Sequence, residues 1–462
     1  MRASQQWNCQ DQCPARERHL LEPQSTALFI LLMAAFCGLL AWVVFAKQAV
    51  FRVLAASLAF IPAMLFGVAA VNKYYNYYQT WGSVAADLGA QGGSSVPAVS
   101  SNLSGRQVNA ILSRVTQQGT ADRQGETVRF TVTGQVSHLT RAVYVYLPPQ
   151  YFRSSYRNYR FPAIELITGD PGEPQDWINV AGITQTFLTL LQDGVAKPAV
   201  LIMPDANGGR QFSLQCLNIP HGPQDASFLV RDVRGYLTRE LRLQPKARAW
   251  GVAGYSEGGY CAANLSLVYP GSFGYSGVLS GYFVPERVQL GNPLRRFYPF
   301  RNLGRLRRLN TPTQRIGDLP VNLRIPQFWI GAGSMAMSDV RAARTFQRLL
   351  LARQPATPLQ LAQGGWHNMA TWRALIPPML EWMTAGLSQA ANPGVPARMA
   401  HHVSLSPALV PPAASGQPGL PPSATASPGH GLLPFSPPAQ PSPTLPARLS
   451  APRVTPSQQP SP

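Results

Sequence analysis

Gly254-Tyr255-Ser256-Glu257-Gly258 places a serine between small residues, directly after the apolar run ARAWGVA and directly before a helix-like stretch. That context suits a strand-to-helix elbow, which lifts a serine hydroxyl above a sheet for attack on a carbonyl. A bare GxSxG is common in long chains, so the flanking strand and helix carry the reading. The serine needs a base, and the chain has seven histidines: His19, His138, His221, His367, His401, His402 and His430. In an elbow fold the base follows the nucleophile in chain order, and the last three histidines sit in a proline-rich tail. His367 remains, in Gly364-Gly365-Trp366-His367-Asn368. A histidine that merely caps the following helix is the structural alternative.

Four carboxylates lie between Ser256 and His367: Glu257, Glu286, Asp318 and Asp339. Glu257 adjoins the serine and is expected to point elsewhere. Asp339 follows the strand-like IPQFWIGAG at the start of a helix, where an acid can hold the imidazole in one tautomer. It could equally cap that helix, and Glu286 and Asp318 stay open as alternatives. Two backbone N–H groups are expected to form an oxyanion hole: that of Glu257, after the nucleophile, and that of Asp170, in Thr168-Gly169-Asp170-Pro171-Gly172. An ordinary Pro-Gly turn is the simpler reading of that loop. Cys216 and Cys261 are the two cysteines of this region, and either a disulfide or two separate buried thiols fits their positions. Cys9 and Cys13 have no histidine at metal-ligand spacing, so no metal site is expected, and no cofactor.

These residues require a scaffold. TVRFTVTGQV and RAVYVYL alternate with period two, and short apolar runs then alternate with helix-like stretches such as Trp177–Leu191, Gly259–Val268 and Met369–Ala385. Strand–helix alternation predicts an α/β fold with a mostly parallel central sheet covered by helices on both faces. The segment 127–388 resembles the esterase D/mycolyltransferase family of α/β-hydrolases. The matching pieces are ITGDPGEPQDWI, GYSEGGYCAANLSLVYP, LSGYFVP and GGWHNMATWRALIPPMLEWM. The resemblance implies Ser256 as nucleophile, His367 as base and an acid at Asp339. The acid often follows its strand almost at once in this family. Here the stretch Gly331–Ser338 intervenes, the later placement that resembles the mycolyltransferases.

The remainder of the chain differs in composition. Residues 26–46 form 21 positions without a charge, and residues 53–71 form a second uncharged run of 19 interrupted by Pro62. At about 1.5 Å per residue each can span a bilayer core of roughly 30 Å, which predicts a two-helix transmembrane hairpin after an N-terminal tail, 1–25. A cleaved signal peptide fits poorly, because a second apolar run follows. Tyr74, Tyr75, Tyr77, Tyr78 and Trp81 begin a segment, 72–126, and suit either a membrane interface or packing on the next domain. Of the 44 prolines, 19 lie between Ala391 and Pro462, and the tail 389–462 is expected to be disordered.

The net charge of +19 comes mainly from arginine, with Lys47, Lys73, Lys197 and Lys246 the only lysines. Without a Walker or nucleic-acid-binding motif, nucleic acid is not an expected partner. The arginines of 295–308 read as a solvated loop, or as a contact with anionic headgroups. The expected partners are a lipid or acyl-ester substrate and the membrane itself. Loop charges Lys47 and Arg52 against flanking Arg16, Arg18 and Lys73 mildly favour a cytoplasmic domain. The cysteine pair, the acid-free tail and the family resemblance favour the extracytoplasmic side, which is the expected location. The expectation is therefore a membrane-anchored serine esterase or acyltransferase, with a catalytically silent binding or envelope-scaffold protein as the alternative.

Overall fold

A computed structural model describes residues 21–87, 119–210, 213–285 and 304–391, with the short stretches 98–99, 108, 288–289 and 296–297. Cys9, Cys13, Glu286, part of the 295–308 segment and the tail beyond residue 391 lie outside the described residues.

Eight strands build the sheet: β1 Glu126–Thr133, β2 Thr140–Leu147, β3 Ala163–Ile167, β4 Val200–Pro204, β5 Trp250–Tyr255, β6 Tyr275–Leu279, β7 Gln327–Gly333 and β8 Leu359–Ala362. Their order across the sheet is β1-β2-β4-β3-β5-β6-β7-β8, with Ala98–Val99 added beside β1. β2 runs antiparallel to both its neighbours, and every pair from β4 onward is parallel. This is the α/β-hydrolase fold. In β1 alternate residues Val128, Phe130 and Val132 are buried, whereas β3, β4 and β5 are buried at every position. That difference follows from location: edge strands cover one core, while central parallel strands are roofed on both faces.

The covering helices include α3 Ile183–Gln192, α4 Glu257–Val268, α5 Met337–Leu351 and α6 Met369–Ala391. One core packs around Phe130, Phe161, Trp250 and Tyr260, a second around Trp177, Phe187, Trp372 and Met379, and a third around Phe283, Phe328 and Phe346. The expected helix Trp177–Leu191 divides into Asp176–Asn179 and α3, because Gly182 takes φ 68° and breaks the hydrogen-bond ladder. Cys216 and Cys261 form a disulfide with Cα atoms 5.7 Å apart, tying the loop before residue 225 to α4.

Two further helices precede the sheet: α1 Thr26–Phe45 buries none of its residues, and α2 Ala49–Tyr75 buries only Ala55, Ala59, Pro62 and Ala69. Both are long and apolar enough to cross a membrane. Packed side by side, they meet at Phe29 and Phe66, whose rings are 5.3 Å apart. The second extends four residues beyond the expected 53–71 at each end and stops where Asn76 turns left-handed at φ 52°. The aromatic exit divides in two. Tyr74, Tyr75 and Trp81 are exposed, while Tyr77 and Tyr78 pack against the core that holds Trp372.

Glu165, central in β3, is fully buried and both carboxylate oxygens lack a hydrogen-bond partner among the described residues. Burial raises its pKa from the ordinary 4.5 to about 8, offset in part by the Arg234 charge. The unfolded chain therefore ionises first as pH rises, and Glu165 withdraws stability between about pH 4.5 and 8. Glu165→Gln is expected to unfold at a higher temperature than wild type at and above pH 8, with the advantage vanishing near pH 4.5. Thermal scans across that range check this, and parallel pH profiles for the two proteins would contradict it.

Candidate active site

The site gathers at the carboxyl ends of the parallel strands, where open α/β sheets place their ligands. Ser256 joins β5 to α4 with φ 55° and ψ −119°, a strained conformation for a residue with a side chain. Its backbone N–H donates to Leu279 O at 2.9 Å, which fixes the turn to the end of β6. The glycines of the elbow are there for space. A Cβ at Gly254 would lie 2.3 Å from the Gly258 carbonyl, and one at Gly258 would lie 2.1 Å from Ile167 O. Helix α4 can cross β3 and β5 this closely only without those side chains.

His367 follows β8. Its Nε2 is 3.0 Å from Ser256 Oγ, and its Nδ1 is 2.6 Å from Asp339 Oδ2. The imidazole edge rests on Trp372 at 5.2 Å, and Trp372 stacks on Tyr255, the residue before the serine, at 4.6 Å. Trp177 closes the column against Tyr255 at 4.9 Å. This aromatic stack links the serine turn to the histidine loop through rigid contacts. Asn368, not His367, caps α6: its Oδ1 accepts from Thr371 N at 3.1 Å. Asp339 lies in the first turn of α5, whose N-cap is Ala336, and its carboxylate is turned to the imidazole. Asp318 is held by Arg308 through two hydrogen bonds, of 2.6 and 2.8 Å, which keep its carboxyl below the ordinary range. Of the open choices for the acid, Glu286 lies outside the described residues.

The Glu257 side chain is occupied by its own partners, with Ser213 Oγ donating to its Oε1 and Tyr282 OH to its Oε2. Its backbone opens α4, where the first N–H groups have no intrahelical partner and the helix dipole favours negative charge. The loop after β3 comes close to the same point. A Cβ at Gly169 would be 3.2 Å from Ser256 Cβ, and the following Asp170–Pro171 bond is cis. Burial pushes the Asp170 carboxyl up.

Two chambers meet at Ser256, Asp170 and His367. The smaller, about 410 Å³, has Ser280, Tyr282, Ser338 and Asp339 in its wall. The larger, about 770 Å³, is walled by Tyr255, Pro171, Trp372 and the end of the helix Ala49–Tyr75. The sequence reading missed Ser213, Tyr282, Trp177 and Trp372 as supports of the site. Trp177, Tyr282 and Trp372 lie within ITGDPGEPQDWI, LSGYFVP and GGWHNMATWRALIPPMLEWM, which carried the family resemblance without assigning these side chains a role; Ser213 lies outside them and had no sequence signal.

A family model described as "Putative esterase" matches residues 138–383, more than half of the chain. The chain belongs to the esterase family. The chain is 26% identical over 235 residues to an uncharacterized protein of Corynebacterium glutamicum, a match covering 48% of this chain and 50% of that protein. The chain thus spans about half the length of the curated relative it matches. Among solved structures it is similar to a ferulic acid esterase, with a TM-score of 0.48 and 16% identity over 57% of this chain and 99% of that one. It is also similar to an S-formylglutathione hydrolase from Staphylococcus aureus, with a TM-score of 0.44 and 17% identity over 56% and 98% of the two chains.

The elbow's tight packing makes a direct expectation. Gly258→Ala forces backbone apart and should cost at least about 2–3 kcal/mol, seen as a lower unfolding temperature and yield. Gly271→Ala, with nothing within 4 Å of the added carbon, should be neutral. Equal behaviour of the two variants would show that the elbow can relax.

Proposed function

We propose that the protein is a membrane-anchored serine esterase or acyltransferase acting through an acyl-enzyme on a lipid or cell-envelope ester. The observation that carries this reading is the hydrogen-bonded series Ser256–His367–Asp339, with spacings of 3.0 and 2.6 Å, at the mouth of an open cavity. Asp339 accepts from the Nδ1–H of His367, leaving Nε2 free to take the serine proton. Ser256 Oγ attacks the ester carbonyl as its proton passes to Nε2. The N–H groups of Glu257 and Asp170 stabilise the oxyanion. The carbonyl–oxygen bond to the leaving alcohol then breaks, and His367 returns the proton to that alcohol. Water, or a sugar or lipid hydroxyl, attacks the acyl-enzyme with His367 again as base. The products are a carboxylic acid or a new ester, and the serine recovers its proton.

Membrane anchoring is supported by the two apolar helices. A helix buried in a soluble core would hide its apolar residues, whereas Ile30, Val44, Phe45, Phe60 and Val68 are all exposed. The extracytoplasmic side is supported by the Cys216–Cys261 disulfide, since such bridges persist in oxidising compartments. The smaller chamber, with the hydroxyl-bearing side chains of Tyr282 and Ser338 in its wall, suits a hydroxylated acceptor or leaving group.

Ser256→Ala and His367→Ala are each expected to lower turnover of a 4-nitrophenyl ester roughly 10³-fold or more, with Asp339→Asn less damaging than either. Fluorophosphonate labelling lost in Ser256→Ala supports the enzyme reading. Absence of labelling in the folded wild type would favour the silent scaffold. Orientation is tested separately by fusing alkaline phosphatase after residue 90. An active phosphatase is expected, and an inactive one beside a bright cytoplasmic reporter fusion would move the domain to the cytoplasm.

A further inference from the structure

The larger chamber has an unusual wall. The helix Ala49–Tyr75 contributes Val68, Val71 and Tyr75, spaced at i, i+3 and i+7 on one helical face, to the cavity that also holds Ser256 and His367. Val68 and Val71 remain 62% and 59% exposed, so on this side the cavity opens along the flank of the helix. We propose that this helix is part of the acyl-binding site, and that the acyl chain of a bilayer lipid ester enters sideways from the membrane along Val68 and Val71 to reach Ser256. This inference rests on the esterase and membrane-anchor readings above and names the route and source of the substrate.

Position along the helix argues for that source. The uncharged run ends at Val71, so Val68 and Val71 occupy its last turn, where a helix rising about 1.5 Å per residue leaves a hydrocarbon core of roughly 30 Å. Ester carbonyls of membrane lipids lie at that same boundary between tails and headgroups. A lipid can therefore present its carbonyl to Ser256 while its chain stays in apolar surroundings, without the cost of exposing each methylene to water, about 0.8 kcal/mol. The chamber, about 770 Å³, is within the range of small-molecule pockets, roughly 300–1,000 Å³.

The helix is also locked to the catalytic elements, as a cavity wall must be. Arg373 of α6 donates to Asn76 O at 3.1 Å, Asn76 Oδ1 at 2.8 Å and Tyr77 O at 2.8 Å. Asn368, next to the histidine, donates to Tyr74 O at 3.3 Å. The Tyr77 hydroxyl hydrogen-bonds the buried Asp176, beside the oxyanion loop. A flexible tether would need none of these contacts. They hold the serine at a constant height above the bilayer surface.

The test uses the full chain reconstituted in phosphatidylcholine vesicles, with 4-methylumbelliferyl acetate, butyrate, octanoate and palmitate as probes. Val68→Trp is expected to lower the ratio of palmitate to butyrate turnover at least about tenfold, and Val71→Ala, which should not disturb folding, to raise it. Val53→Trp, near the other end of the helix, should leave the ratio unchanged. Palmitate ester placed in the same vesicles as the protein should turn over at least about tenfold faster than ester supplied in separate vesicles. A fluorophosphonate-labelled Ser256 with an unchanged ratio in both Val68→Trp and Val71→Ala, or equal rates from the two vesicle arrangements, would overturn the lateral route alone. Failure of wild type to label would instead remove the esterase reading beneath it.

Discussion

Ser256 turns the chain from strand to helix within a single residue, and at that point α4 must pass so close to β3 and β5 that neither Gly254 nor Gly258 can carry a Cβ. The close approach gives Ser256 its positive φ and directs its hydroxyl out of the sheet edge. The same geometry aligns the first N–H groups of α4 with the loop after β3. Histidine and acid come from the ends of β8 and β7, so the right-handed crossovers of a parallel sheet bring them to the same edge. The strain at the serine persists because the Leu279 carbonyl, the disulfide to Cys261 and the buried body of α4, Gly258 to Leu267, hold its surroundings fixed.

A second structure depends on that edge. The aromatic column Trp177–Tyr255–Trp372–His367 runs beside the serine, and three of its rings belong to the core against which Tyr77 and Tyr78 pack. Burial lowers the pKa of Arg373 to about 10 and raises that of Tyr77 far above its ordinary value, yet the guanidinium remains charged at neutral pH and satisfies three carbonyls. The apolar helices are thus joined to the hydrolase through buried polar contacts beside the histidine. A polar contact buried this way is worth most when every group is paired, and here the pairing also sets the orientation of the site to the helices.

Much of this was legible in the residues themselves. Alternation in TVRFTVTGQV and the short apolar runs AIELI, broken only by Glu165, and VLIMP separated outer from central strands, because one-sided and two-sided burial leave different patterns. The elbow was legible because strand, small residues and helix are contiguous, and His367 because chain order eliminated its rivals. Asp339 was favoured by its place after IPQFWIGAG, but Glu286 and Asp318 stayed open, since a carboxylate's partner is chosen by distance across the fold; the 2.6 Å contact to His367 and the Arg308 pairing of Asp318 are tertiary facts. The break at Gly182 was missed because a glycine in a helical pattern signals its φ only when the chain around it is packed.

The sequence by itself determined the sheet, the serine, the histidine and two apolar helices, each of which is written in residues close together along the chain. Only the tertiary structure decided that the second helix walls the site. A helix apolar on nearly every face carries no periodic mark to distinguish the side that meets lipid from the side that meets protein. Val68 and Val71 became pocket residues because Arg373 and Asn368, some 300 positions later, hold the end of their helix against the loop that carries His367, and no local pattern encodes a contact between such distant segments.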